Sequence, residues 1–188
     1  MSTEILKDRI QKVLFSDDVL RARIRELGHE IAKEYGTART AQARPPILVC
    51  VLHGAMIFMS DLMREIPIEL EYDFICVSSY QDGTSPGAVR LIKDLDRPIE
   101  GRDVLIVEDI IDTGYTLHYL KRTLAARNPA SLRFCTLIDK VIRREIPVEI
   151  DYVGFVLNQD EFIVGYGMDY AGLYRNLPYI GVLKEEYL

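Results

Sequence analysis

The stretch that decides the fold is VLIVEDIIDTGYT, residues 104–116. Its four opening apolar residues, Val104 to Val107, are typical of a strand buried on both faces, as in a parallel sheet. Glu108 and Asp109 follow at once, and a glycine-containing turn comes next. After the turn, apolar residues recur at helical spacing, at Leu117, Leu120 and Leu124. We therefore predict a strand that ends at two carboxylates and is followed by a turn and a helix.

Strands and helices alternate along the rest of the chain in the same way. The apolar patterns predict helices over residues 20–35, 58–66 and 116–126, and strands over 47–52, 68–76, 89–95, 104–107, 132–138, 152–157, 162–164 and 180–183. This order predicts an α/β fold with a mainly parallel central sheet flanked by helices. Because we find no repeat and no second-domain boundary, we expect one domain, residues 1–188. Residues 1–15 and 148–188 are expected to contribute to a small hood over the sheet.

Composition narrows the class of protein. The chain has 23 Lys and Arg against 29 Asp and Glu, a net charge of −6, which argues against a nucleic-acid partner. We expect no membrane segment, because no apolar run approaches the ~20 residues of a spanning helix. The charged start, MSTEILKDRI, does not resemble a signal peptide. Cys50, Cys76 and Cys135 lie in apolar runs without a CxxC pattern, which is typical of reduced thiols in a cytoplasmic protein.

The end of the predicted strand has the chemistry of a sugar-phosphate site. Ligands of parallel α/β sheets bind beyond the carboxyl ends of the strands, where Glu108 and Asp109 are expected. Carboxylates there suit ribose hydroxyls, a divalent cation or a proton to be moved. The turn of residues 112–116 supplies backbone N–H groups at a helix N-terminus, which favours phosphate. It has no lysine, so it is not a Walker loop.

The tripeptide Asp112-Thr113-Gly114 is also the signature of aspartic proteases. That fold needs two such tripeptides within β-structure, whereas here the tripeptide leads into a helix. The protease alternative is therefore disfavoured.

The string VEDIIDTGYT, residues 107–116, resembles the type I phosphoribosyltransferases, most closely their 6-oxopurine branch. The resemblance extends over residues 45 to 183. Ser79-Tyr80 heads a polar loop that resembles the family's mobile lid. The segment LIDK, residues 137–140, resembles the strand end that carries a purine-reading lysine. The segments VGF, residues 153–155, and FIVGYGMDY, residues 162–170, resemble the base-binding region, and Arg175 follows at the expected interval.

The resemblance implies Mg²⁺-dependent transfer of a phosphoribosyl group from phosphoribosyl pyrophosphate to N9 of hypoxanthine, and of guanine, for purine salvage. It implies Asp112 as the general base and residues Asp112, Thr113, Gly114, Tyr115 and Thr116 as the 5-phosphate site. Glu108 and Asp109 would bind the ribose hydroxyls, and both, with Asp169, would hold metal. The purine site would comprise Lys140, Phe162, Ile163 and Asp169, and the pyrophosphate site His53, Gly54, Arg144 and Arg175.

One position departs from the family pattern. The loop after the first core strand usually has lysine or arginine before its glycine, but this chain reads Leu52-His53-Gly54-Ala55. A neutral imidazole contributes less to a diphosphate than a fixed cation does. We therefore expect weaker or more pH-dependent binding of pyrophosphate.

Two alternatives stay open. The enzyme could prefer xanthine, because selectivity at the purine 2-position depends on backbone carbonyls that a sequence does not locate. The chain could also be a non-catalytic sensor of a metabolite on the same fold, although a sensor need not keep Asp112 and Lys140. By analogy with the family, we expect a homodimer or homotetramer.

Overall fold

The computed structural model describes residues 8–37, 44–79 and 89–188. In chain order, its elements are β1 (Ile10–Phe15), α1 (Asp17–Thr37), β2 (Ile47–Leu52), α2 (Met56–Arg64), β3 (Glu71–Ser79), β4 (Val89–Lys93), β5 (Asp103–Ile111), α3 (Tyr115–Ala125), β6 (Ser131–Asp139), β7 (Tyr152–Val156), β8 (Ile163–Val164) and β9 (Ile180–Leu183). Short 3-10 helices cover Val141–Arg143 and Glu185–Tyr187. Among the described residues, no helix combines the length and the apolarity that crossing a membrane requires.

The central sheet has the order β4-β3-β2-β5-β6-β7. Its strands are parallel except β4, which runs antiparallel to β3. Alternate residues of β2 pack on opposite sides: Leu48 and Cys50 join the core with α1 and α2, whereas Ile47 and Val49 join the core with α3. Burial on both faces explains why β2 and β5 read as unbroken apolar runs. The predicted α/β class is confirmed.

Strand β5 is longer than its sequence pattern indicated. Pairing with β6 continues through Ile110 and Ile111, beyond the two acids. The strand continues because Ile111, which is only 3% exposed, packs in the core beneath α3. Glu108 and Asp109 therefore lie inside the strand rather than after it, and this fixes the directions of their side chains.

A second, three-stranded sheet of order β1-β9-β8 forms the hood. The expected hood segment, residues 148–188, includes β7, but β7 is an edge strand of the central sheet. Within this segment, the hood therefore begins only after β7. Strand β1 was expected only as part of the hood and pairs antiparallel with β9. The hood lies over the loop that follows β2, where Gly167 approaches the backbone of Gly54.

Candidate active site

The turn between β5 and α3 depends on Gly114. This residue precedes the first turn of α3 with a φ of 93°, and a Cβ there would lie 2.6 Å from the carbonyl oxygen of Ile146. The amides of Glu145 and Ile146 each donate to the carbonyl oxygen of Thr113 at 3.0 Å, which fixes the turn from outside. The turn lines a small pocket at the start of α3, where the helix carries partial positive charge.

This first pocket, which we call the turn pocket, is lined by Glu108, Ile110, Ile111, Asp112, Thr113, Gly114, Thr116 and Leu117. The predicted phosphate residues are therefore together, with one exception. The side chain of Tyr115 does not line the pocket, and its hydroxyl donates to Glu145 at 2.9 Å.

A second pocket adjoins the first at the end of β5. We call it the base pocket, and it is lined by Asp109, Ile110, Asp112, Lys140, Arg143, Glu161, Phe162, Ile163, Met168 and Asp169. Ile110 and Asp112 line both pockets. The purine residues predicted from the sequence thus meet in one place, although they come from segments up to 29 positions apart, from Lys140 to Asp169.

The two adjacent acids of β5 serve different pockets. Glu108 lines the turn pocket and Asp109 the base pocket, as expected for neighbours on a strand. Burial, and then the charge of Asp109, raises the pKa of Glu108 well above its ordinary value. Burial also raises the pKa of Asp109. Within the described parts of the chain, the buried Oε2 of Glu108 has no hydrogen-bond partner, so this oxygen is available to a ligand.

Lys140 and Phe162 give the base pocket a cation and an aromatic face. Lys140 is only 5% exposed, and its ammonium contacts Asp160 at 2.8 Å and the carbonyl oxygen of Glu161 at 3.0 Å. Phe162 is 40% exposed despite its apolar ring, and Tyr170 packs edge-on against it with ring centroids 5.4 Å apart. An accessible ring beside a buried donor suits a flat ligand with a polar edge.

The loop after β2 is enclosed on two sides. The Leu52-His53 peptide is cis, and the His53 side chain is exposed. A Cβ on Gly54 would lie 2.5 Å from Cγ of Asp109, and a Cβ on Gly167 would overlap the carbonyl oxygen of Gly54. The loop thus fits between a carboxylate of β5 and the hood only because both positions are glycine.

Asp169 and Arg175 form an ion pair at the same end of the hood. The two side chains are 2.6 Å apart, and Arg175 also donates to the carbonyl oxygen of Gly167 at 2.5 Å. Arg175 is therefore close to the loop of His53 and Gly54, as the sequence led us to expect.

Arg144 lies elsewhere. Its guanidinium donates to the carbonyl oxygens of Asp112 at 3.1 Å and Ile111 at 3.3 Å, and it pairs with Asp139. These contacts hold Arg144 against the end of β5, and its expected role at the pyrophosphate stays a prediction. Arg143, which was not predicted, lines the base pocket instead, with Nε 3.6 Å from Oδ1 of Asp112.

Sequence reasoning gave no means of choosing between these adjacent arginines, because their directions depend on the 3-10 helix Val141–Arg143. It also missed Asp160, an acid in a loop without a motif. The lid prediction is untested: Ser79 ends β3, but its side chain and all of Tyr80 lie outside the described residues.

The fold and the two adjoining pockets identify a class of enzyme. Residues 16–171 match the phosphoribosyl transferase domain, and the chain belongs to this family.

Its relatives lie in the branch that the sequence resembles. The chain is 49% identical over 181 residues to the hypoxanthine-guanine phosphoribosyltransferase of Mycobacterium avium, covering 96% of this chain and 89% of that protein. It is 53% identical over 184 residues to the bifunctional protein TilS/HprT of Listeria innocua, covering 97% of this chain but 27% of that relative's length. A solved hypoxanthine phosphoribosyltransferase from Trypanosoma cruzi, in complex with the product IMP, superposes with a TM-score of 0.88 at 41% identity, covering 96% of this chain and 97% of that one.

Proposed function

We propose that this chain is a purine-salvage enzyme. It transfers the 5-phosphoribosyl group of phosphoribosyl pyrophosphate to N9 of hypoxanthine, and of guanine, giving IMP or GMP and pyrophosphate. The observation that carries this proposal is the adjacency of two pockets along β5: one at a helix N-terminus, and one with a buried ammonium and an accessible aromatic ring. The relatives support the same reaction.

The turn pocket would hold the 5-phosphate. Thr113 and Thr116 offer hydroxyls, and the amides at the start of α3 offer donors aligned with the helix dipole. Glu108 and Asp109 would bind the ribose hydroxyls, because the sugar must extend from the turn pocket toward the base pocket. The buried Oε2 of Glu108, which has no hydrogen-bond partner in the described ranges, favours this assignment.

The base pocket would hold the purine between an apolar wall and a polar edge. Phe162 would stack on the ring, Lys140 would donate to O6, and the Ile163 backbone would contact the base edge. As N9 forms its bond to C1 of the ribose, the bond from C1 to the pyrophosphate oxygen breaks and pyrophosphate leaves. Asp112 takes the proton from N7, so no charge accumulates on the purine. Asp112 lines both pockets, so it can lie close to the purine N7 and to the ribose C1 at the same time.

Pyrophosphate would leave beside His53, Gly54 and Arg175, and Mg²⁺ would accompany it. The residues fit this ion: Asp169 presents a carboxylate in the base pocket, and Glu108 has a buried oxygen without a partner among the described residues. The part of the chain that the structure describes has no cluster of three or more His, Cys, Asp or Glu suited to a metal. Diphosphate and water oxygens would therefore complete the coordination, as Mg²⁺ prefers. When bound, the ion neutralises charge on the departing diphosphate.

The deciding experiment is a panel assay. The protein is incubated with phosphoribosyl pyrophosphate and each of hypoxanthine, guanine, xanthine, adenine and uracil, with and without Mg²⁺, and nucleotide formation is followed. We expect turnover of hypoxanthine and guanine that depends on Mg²⁺. Selective turnover of xanthine would reassign the base, and no turnover with any base would favour the sensor alternative.

Two further properties belong to the same proposal. We infer a cytoplasmic location, because Cys50, Cys76 and Cys135 are free thiols. We also infer a homodimer or homotetramer associating through residues 56–74, where Met56 and Tyr72 are more than half exposed. Light scattering after size-exclusion chromatography would measure the mass, and a monomer at micromolar concentration would contradict the second inference.

A further inference from the structure

We propose that Asp160 is a positioning residue that sets selectivity for bases with an acceptor at the purine 6-position. This inference rests on the proposed function and deepens it. Asp160 acts through Lys140, and no motif marks it in the sequence.

Lys140 shares its hydrogen-bond donors between the protein and the base pocket. An ammonium group has three N–H donors and no acceptor. Two of them have acceptors in the protein: Oδ1 of Asp160 at 2.8 Å and the carbonyl oxygen of Glu161 at 3.0 Å. Lys140 also lines the base pocket, so the remaining donor is available to one acceptor on a ligand. A single free donor at a fixed place discriminates between an oxygen and an amino group, because the amino group would leave it unpaired.

Asp160 is not a freely moving surface acid, although its side chain is 58% exposed. The next residue, Glu161, pairs with Lys12 of β1 at 2.5 Å. One position further on, the carbonyl oxygen of Phe162 accepts the amide of Leu183 in β9 at 3.0 Å. The segment that carries Asp160 is thus fixed to two strands of the hood, which gives its carboxylate a defined position.

The surrounding charges keep Asp160 ionised and engaged. The hydrogen bond from Lys140 lowers the pKa of Asp160 below its ordinary value. Arg143 adds a second cation, with Nε 3.8 Å from the same carboxylate oxygen. Without the Asp160 charge, the Lys140 ammonium would be free to turn toward Asp109 and Asp112, two of the acids that line its pocket. A base that presents an oxygen at position 6 would then have to compete with those carboxylates.

The test compares two bases that differ in the 6-oxygen and in the N1 proton that accompanies it. Hypoxanthine has the 6-oxygen, and unsubstituted purine does not. For Asp160→Asn we expect kcat/KM for hypoxanthine to fall roughly tenfold, the effect of weakening one hydrogen bond from a charged donor. We expect the value for purine, and the KM for phosphoribosyl pyrophosphate, to stay within about twofold of wild type, since neither involves the free donor of Lys140. Asp160→Glu keeps the carboxylate and should recover most of the loss.

The matched control is Glu149→Gln. It makes the same change in net charge at an acid that is 93% exposed and pairs with Lys121 on the surface, so it should leave the ratio of the kcat/KM values for the two bases unchanged. If Asp160→Asn lowered kcat/KM equally for hypoxanthine and purine, the role of Asp160 would be merely structural and the inference would be overturned. An unchanged kcat/KM for hypoxanthine would overturn it as well. If Asp160→Asn does not fold, as judged by its circular dichroism spectrum, the ratio of kcat/KM for hypoxanthine to that for purine is measured on Asp160→Ser instead. Wild-type protein that does not turn over hypoxanthine would instead refute the proposed function itself.

Discussion

The close approach of Gly54 to Asp109 makes a quantitative prediction for Gly54→Ala. The new Cβ would lie 2.5 Å from Cγ and 2.8 Å from Oδ1 of Asp109, where an ordinary contact begins near 3.4 Å. Asp109 is 7% exposed, so its carboxylate has little room to turn away. The loop cannot retreat either, because its carbonyl oxygen already meets Gly167. Overpacking of this kind costs about 1–3 kcal/mol, and we expect Gly54→Ala to lower the free energy of unfolding by that amount.

The assay is urea denaturation followed by circular dichroism, with Gly36→Ala as the control. Gly36 lies within helix α1, and among the described residues a Cβ there would meet only Cγ2 of Ile68, at 3.8 Å. The same chemical change there should leave stability unchanged or raise it by up to about 1 kcal/mol, because alanine restricts the unfolded chain. We also expect Gly54→Ala, but not Gly36→Ala, to raise the KM for phosphoribosyl pyrophosphate, because the loop would shift where the diphosphate binds.

A double-mutant cycle with Asp109→Ala identifies the cause. Shortening Asp109 removes the atoms that the new Cβ would meet, so in that background Gly54→Ala should cost close to nothing. Additive costs would show that the carboxylate is not the obstacle. A Gly54→Ala protein as stable as Gly36→Ala, with an unchanged KM, would refute the steric reasoning altogether.

Three further predictions concern charge at the site. Asp112→Asn should lower kcat by about 10²–10⁴ with little change in the KM of the diphosphate donor, as steady-state kinetics would show, and a loss confined to KM would contradict the general-base role. Burial raises the pKa of Glu108, so the folded protein keeps a proton that the unfolded chain releases, and stability falls as pH rises from about 4.5 through the raised value. Glu108→Gln should therefore weaken this fall in urea titrations at several pH values, and an unchanged slope would contradict the pKa shift. His53→Lys should lower the KM for phosphoribosyl pyrophosphate by adding a fixed cation, and an unchanged KM at every pH would count against a diphosphate role for this loop.

The sequence predicts the central strands and the turn after β5 better than the outer loops, because the residues that determine them are close together in the chain. An unbroken apolar run predicts β2 at its observed bounds, Ile47–Leu52. Two acids followed by a glycine turn predict the turn pocket, since strand, turn and helix are consecutive. The extent of β5 was not predictable in this way, because Ile110 and Ile111 remain in the strand through pairing with β6, which lies more than twenty positions away.

The residues that the sequence did not reveal depend on contacts between distant segments. Arg143 and Arg144 are neighbours of the same type, and the 3-10 helix Val141–Arg143 directs Arg144 to the carbonyl oxygen of Asp112 and Arg143 to the side chain of Asp112. The need for glycine at positions 54 and 167 arises where two loops more than a hundred residues apart come into contact. Neither the directions of the two arginines nor the need for these glycines produces a spacing or a composition in the sequence from which it could be predicted.

The two acids of β5 show why an extended segment, rather than a loop, suits the proposed reaction. Glu108 lines the turn pocket and Asp109 lines the base pocket, so a single ligand can meet both only by extending across the two pockets. A sugar with a phosphate on one side and a base on the other has that shape. Burial raises the pKa of both acids, and the charge of Asp109 raises that of Glu108 further, which means that their ionised forms are poorly stabilised by the protein alone. Hydroxyl donors of ribose, or a cation accompanying the diphosphate, would supply the missing stabilisation, so the site is complete only when the donor substrate is bound.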